Sequence, residues 1–234
     1  MDAATLKRRV GEHAADLVDD GDVVGLGSGS TAAAAIRALG ERVDSGLDVR
    51  GVPTSHQSRE VALEAGVPLV ELDQVEGIDV AIDGADQVAT DDAVAAADTG
   101  RPPLVKGGGG AHAREKLVDA AAAEFVVVVD PSKLSPALDD PVPIEVLPAA
   151  RTAVAEDVQA LGGDPALRSA TEKSGPVVTD NGNLVVDAAF GEIDDPAALA
   201  RDLAQIPGVL DHGVFVDLAD RVLVGREDGV ESLR

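Results

Sequence analysis

Short apolar runs alternating with amphipathic segments fill the first half of the chain. Leu6, Val10, Ala14 and Leu17 recur at helical spacing and predict a helix over 4–18. "DVVGLGSGSTAAAAIRAL" (22–39) reads as strand, glycine-rich turn and helix. "LDVRGVPTS" predicts a second strand, residues 56–65 a helix, and "VPLVEL" (67–72) a short strand. "GIDVAIDGAD" ends another strand in a polar turn. "PPLVKGGGG" then leads into a helix over 112–123, and "FVVVVD" (125–130) reads as a buried strand. Continuous apolar strands alternating with helices predict an α/β fold: a Rossmann-like, mostly parallel sheet with helices on both faces.

The texture changes from about Pro136. "PVPIEVLP", a helix over 150–161, "PVVTDNGNLVVDAAF", a helix over 196–205 and "GVLDHGVFVD" follow β-α-β-β-α-β order, with "TDNGN" as a hairpin turn. That order predicts a smaller inserted α+β subdomain of ferredoxin-like type. "RVLVGRE" (221–227) then returns to the first sheet. The expected organisation is a Rossmann-like catalytic domain over 1–135 and 214–234, with the small subdomain at 136–213.

Composition narrows the chemistry. With 45% apolar residues the 234-residue chain can bury a proper core, so its net charge of −24 does not read as disorder. There is no cysteine, which excludes disulfides, thiol nucleophiles and thiolate metal sites. His13, His56, His112 and His212 show no ligand spacing, so no metal is expected. Trp and Tyr are absent and the surface is acidic, so neither base stacking nor phosphodiester binding is expected. No apolar run approaches the roughly 18 residues of a membrane span, and "MDAATLKRRVGEHAADLV" is an amphipathic helix rather than a signal peptide. The default expectation is a cytoplasmic protein. Only five lysines occur (Lys7, Lys106, Lys116, Lys133 and Lys173), and this acid-rich, lysine-poor composition suggests adaptation to high salt.

Three polar turns stand at the carboxyl ends of predicted strands, where open α/β sheets hold their ligands. In "GLGSGSTA" (25–32), glycines let the backbone approach a ligand while Ser28, Ser30 and Thr31 offer hydroxyls at a helix N-terminus, a recipe for holding phosphate. The same stretch fits a dinucleotide fingerprint, but that motif needs an acid at the end of the next strand, which reads "GVPTSHQS". A tight turn with an N-cap is the plain alternative. "DGAD" (83–86) puts two carboxylates around glycine, suited to sugar hydroxyls or proton transfer, or merely to a capped turn. In "LVKGGGGAHAREKLV" (104–118), Lys106 precedes four glycines and Glu115 lies near the start of the next helix. Such a bare loop lets a small ligand lie against backbone N–H groups beside acid–base chemistry, or serves only as a flexible connection.

Taken in order, "GLGSGSTA", "DGAD" and "KGGGGAHAREKLV" resemble the ribose-5-phosphate isomerase type A family. "LKRRVGEHAADLV", "VDPSK", "PVPIEVLP", "VVTDNGN" and "IPGV" extend the resemblance over nearly the whole chain. It implies interconversion of ribose 5-phosphate and ribulose 5-phosphate through an enediolate, in the non-oxidative pentose phosphate pathway, without metal or organic cofactor. It further implies that Ser28, Gly29, Ser30 and Thr31 form the phosphate loop, helped by Lys7, and that Asp83, Gly84, Ala85 and Asp86 contact sugar oxygens. Lys106, Gly107, Gly108 and Gly109 correspond to a third substrate loop, Glu115 to the catalytic base and Lys133 to a further substrate-binding lysine. Asp83 or Asp86 relays protons between oxygens, and Lys106 stabilises the developing charge. The partners implied are a small sugar phosphate and other copies of the chain, as a homodimer or homotetramer. Gln87 stands where the family usually has Glu and cannot titrate; the stretch from "DGAD" to Lys106 is also longer than usual. A nicotinamide-dependent oxidoreductase and a non-catalytic sugar-phosphate sensor are the rival readings.

Overall fold

Helix α1 (Ala3–Ala15) starts where the Asp2 carboxylate accepts the Thr5 N–H, and it fully buries Val10 and Ala14. Strand β1 (Val23–Leu26), helix α2 (Gly29–Asp44), strand β2 (Arg50–Pro53) and helix α3 (His56–Glu64) follow. The last of these is opened by reciprocal hydrogen bonds of Ser55 and Ser58. Next come β3 (Ile78–Asp83), β4 (Gln87–Ala89), β5 (Leu104–Val105), α4 (His112–Ala121), β6 (Ala122–Val129) and β7 (Leu134–Ser135). The remaining elements are β8 (Val142–Val146), α5 (Arg151–Ala160), β9 (Asp164–Leu167), β10 (Leu184–Ala189), α6 (Pro196–Ala204), β11 (Val209–His212), β12 (Val214–Phe215), β13 (Arg221–Gly225) and β14 (Val230–Leu233). The computed structural model describes residues 2–90, 100–172 and 174–233. None of its helices is long and apolar enough to cross a membrane.

The chain divides into two units, one of Met1–Ala85, Arg114–Leu134 and Leu218–Arg234, the other of Asp86–Ala113 and Ser135–Asp217. In the first, a six-stranded sheet runs in the order β14-β13-β6-β3-β1-β2, parallel throughout except for β14. Successive strand residues face opposite ways. Val24, Leu26, Val80, Ile82, Val126 and Val128 therefore pack with α1, α2 and α3, while Val23, Val52 and Ile78 pack with Val118 of α4. This is the Rossmann-like sheet with helices on both faces that the apolar pattern predicts.

In the second unit, β11-β8-β10-β9 form an antiparallel sheet whose β-α-β-β-α-β connectivity is ferredoxin-like. Val142, Ile144 and Val146 of β8 pack with Val154 and Val158 of α5 and Leu203 of α6. A small sheet, β12-β5-β4-β7, accompanies it. Pairing of β4 with β5 and of β5 with β12 groups residues 86–113 with this unit, whereas the sequence division kept them with the first sheet.

Three local expectations differ from the structure. "VPLVEL" contributes one parallel bridge, Leu69 to Gly51, and then a 3-10 turn at Leu72–Gln74. Pro68 has no N–H to donate, and Glu71 and Gln74 cap each other into that turn. The partner of β10 is β9 rather than "PVVT", from which Val178 makes a single bridge to Leu184. Pro165 hides β9 from pattern reading, and an edge strand tolerates it. Finally, β14 adds an antiparallel strand beyond "RVLVGRE". Most of the acidic stretch between "DGAD" and Lys106, residues 91–99, lies outside the described residues.

Candidate active site

Strand order reverses beside β1, whose neighbours are β2 on one side and β3 on the other. At such a switch point the carboxyl ends of two strands leave a crevice for a ligand. The chain supplies Gly27 and Ser28 at one end and Asp83 at the other. The Ser28 N–H donates to Asp83 Oδ1 at 2.9 Å, and Gly84 N–H donates to the same oxygen at 2.7 Å. A Cβ on Gly27 would lie 2.2 Å from that oxygen, so only glycine allows the turn this close to the carboxylate. Asp83 is fully buried.

Ser28 is the N-cap residue of α2, yet its hydroxyl does not cap the helix. It hydrogen-bonds with Thr54 Oγ1 at 2.8 Å and donates to Ser55 Oγ at 2.6 Å. The first amides of α2 have no acceptor within the helix; that of Gly29 donates to Gln57 Oε1 at 2.8 Å. Lys7 Nζ donates to Ser30 Oγ at 3.0 Å and stands 3.9 Å from Asp130. Lys7 and Ser30 also line a 340 Å³ recess on α1 and α2 together with Arg8 and Arg37. Thr31 is buried, and Lys133 is half-buried in the turn that Asp130 caps after β6. The structure thus gathers Lys7, Ser28, Ser30, Asp83 and Gly84 around the ends of β1 and β3. Glu115 occupies the first turn of α4 and is 5% exposed.

The second unit holds the glycine run. Lys106 follows β5, is 2% exposed, and places Nζ 5.4 Å from the centre of the Phe215 ring, within cation–π range. Its N–H donates to Gly213 O at 2.8 Å. Gly107 has φ of 105° and closes a turn by accepting the Gly110 N–H at 2.9 Å. A Cβ on Gly107 would meet the buried His112 ring at 2.6 Å, so this glycine is required twice over. The Gly108 N–H donates to Asp86 Oδ2 at 2.6 Å, joining "DGAD" to the glycine run.

Pattern reading missed the side chains that hold these loops. Thr54, Ser55 and Gln57 stand where a dinucleotide site needs an acid, and "GVPTSHQS" was the legible sign. Arg168 Nη1 donates to Gly107 O at 2.9 Å and Gly108 O at 3.0 Å, while its other edge binds Asp187. The only sequence trace of that pair is a carboxylate interrupting the apolar run "LVVDAAF". Gln87 is buried, accepts the N–H groups of Asp139 and Asp140, and donates to the Asp139 carboxylate. Among the described residues no group of three His, Cys, Asp or Glu is placed to hold a metal ion.

Residues 50–229 match the family described as ribose 5-phosphate isomerase A (phosphoriboisomerase A). The ribose-5-phosphate isomerase A of Halorubrum lacusprofundi is 63% identical over 233 residues, covering 97% of this chain and 95% of that one. The Natronomonas pharaonis protein of the same name is 62% identical, covering 96% and 95%. The solved ribose 5-phosphate isomerase A of Methanocaldococcus jannaschii aligns with a TM-score of 0.91 at 44% identity over 98% of both chains. A D-ribose-5-phosphate isomerase in complex with phospho-erythronic acid aligns at 0.92 and 42% identity over 100% of both.

Proposed function

The chain belongs to the ribose 5-phosphate isomerase A family, and we propose that it works with Glu115 as the proton-transferring base. It is an aldose–ketose isomerase that interconverts ribose 5-phosphate and ribulose 5-phosphate. Glu115 removes the C2 proton of the open-chain aldose, and the C–H electron pair becomes the C1–C2 double bond of an enediolate. The same carboxyl group returns the proton to C1, while the O2 proton is transferred away and the carbonyl forms at C2. Asp83 or Asp86 moves protons between the two oxygens. Lys106 and N–H groups of the glycine loop stabilise the oxyanion, each donor typically worth about 3–4 kcal/mol. Ser28, Gly29, Ser30 and Thr31, with Lys7, take the phosphate; Gly84, Ala85 and Lys133 contact the rest of the substrate. Anchoring at the phosphate lets remote binding energy hold the reacting carbons in place.

One observation carries the residue assignments. Asp83, Lys106 and Glu115 are 0%, 2% and 5% exposed at the ends of strands or the first turn of a helix. Burying an ionised side chain costs several kcal/mol before compensation, and groups buried at that cost recur where chemistry is done. Phospho-erythronic acid, found in the related structure, presents a carboxylate where an enediolate carries its oxygens and is expected to compete with substrate. A cytoplasmic homodimer or homotetramer goes with this reading. The test is incubation with ribose 5-phosphate and a chelator while ribulose 5-phosphate is followed. Chelator-resistant turnover is expected. Ribose 5-phosphate binding without turnover would favour a sensor, and binding of a nicotinamide dinucleotide an oxidoreductase.

A further inference from the structure

The glycine run that makes room for a substrate also makes its own amides hard to aim. Glycine populates positive and negative φ about equally, so a peptide plane between two glycines turns over at little energetic cost. In "KGGGG" three such planes follow one another. An oxyanion is stabilised only by N–H groups already pointing at it, so something must set these planes.

Arg168 is placed to do so. Its Nη1 donates to two successive carbonyls, Gly107 O at 2.9 Å and Gly108 O at 3.0 Å. The peptides are trans, so each carbonyl drawn to one side sends the following N–H to the other. The N–H groups of Gly108 and Gly109 therefore point away from the guanidinium, and that of Gly108 reaches Asp86 Oδ2 at 2.6 Å. Asp187 fixes the guanidinium itself, accepting from Nε at 2.8 Å and from Nη2. Both side chains sit on rigid backbone: Ala166 pairs with Asp187 across β9 and β10, and the Arg168 N–H donates to Val185 O at 2.9 Å. Only a planar fork can hold a carboxylate on one edge and two carbonyls from the remaining nitrogen, a task a lysine ammonium does not fit.

We propose that Arg168, oriented by Asp187, is a positioning residue for the isomerisation: it locks the 107–108 and 108–109 peptide planes, seating the Gly108 N–H on Asp86 and turning the Gly109 N–H toward the reacting oxygens. The inference rests on the isomerase reading above. It predicts a fault in the transition state with substrate capture preserved, because the phosphate loop is untouched.

The test compares the parent enzyme with R168A and R168K across a ribose 5-phosphate concentration series that reaches saturation, with thermal unfolding measured in parallel. R168A is expected to lose kcat about tenfold to a hundredfold, with KM changed less than about threefold, and to regain part of the lost kcat when guanidinium ion is added at non-denaturing concentration. R168K is expected to remain slow, and guanidinium to leave the parent unchanged. Unaltered kcat in folded R168A overturns the proposal. So does a loss that guanidinium does not restore and that KM shares in proportion, which marks a general structural defect. Should R168A not fold, R168K decides: at the parent's unfolding temperature, kcat reduced about tenfold supports positioning, and parental kcat overturns it. A parent enzyme without turnover refutes the isomerase reading instead, and this inference with it.

Discussion

Replacing Glu115 by glutamine keeps the volume of the side chain and removes its ability to take up a proton. The Glu115→Gln variant is therefore expected to lose kcat by about 10²–10⁴-fold with KM nearly unchanged; steady-state assays check this, and near-parental kcat sinks the base assignment. Candidate residues of this kind stand out because their chemistry shows in the string: a lone lysine before glycines, two acids around a glycine, hydroxyls after a strand. Their supports were not. Arg168 looks like any surface arginine until the fold brings it against Gly107 and Gly108, sixty residues away in the chain. The Phe215 ring beside Lys106 is farther still along the chain, 109 residues away. Long-range partners leave no local period, so a single sequence does not disclose them.

Elements were legible where one period dominates. "FVVVVD" and "PVPIEVLP" became β6 and β8 because continuous β-branched runs suit strands buried on both faces or packed under helices. β9 escaped because a four-residue edge strand containing proline carries neither signal. The "TDNGN" turn shows how an element is secured beyond its pattern. Glu145 of β8 is fully buried and accepts hydrogen bonds from Thr179 Oγ1 at 2.8 Å, Asn181 Nδ2 at 3.1 Å and Asn183 Nδ2 at 2.9 Å. Glu145→Ala strands three donors, two of them on buried residues, and is expected to lower unfolding free energy by roughly 2–5 kcal/mol. Glu145→Gln keeps an acceptor and is expected to lose less than half of that. Urea denaturation of both variants measures the difference; equal loss in the two refutes the acceptor role.

The whole molecule carries a net charge of −24 with only 19 basic residues. Like charges on a folded chain repel each other more than on an expanded one, and salt shortens that repulsion from about 10 Å at 0.1 M to about 3 Å at 1 M. Stability is expected to rise with potassium chloride, each gain of about 2 kcal/mol raising Tm by about 4–8 °C in a chain of this size. A flat Tm from low to multimolar salt would refute salt adaptation. The order of strands in the large sheet has a consequence for how the protein is made. β13 lies between β6 and β14, and among the described residues no earlier strand pairs with that edge of β6. Ribosomes deliver β6 long before residues 221–225, so throughout that interval a nascent chain holds an open row of backbone donors and acceptors along a strand whose last five residues, Phe125–Val129, are all apolar. Birth, more than working life, is the moment at which this chain is exposed to aggregation.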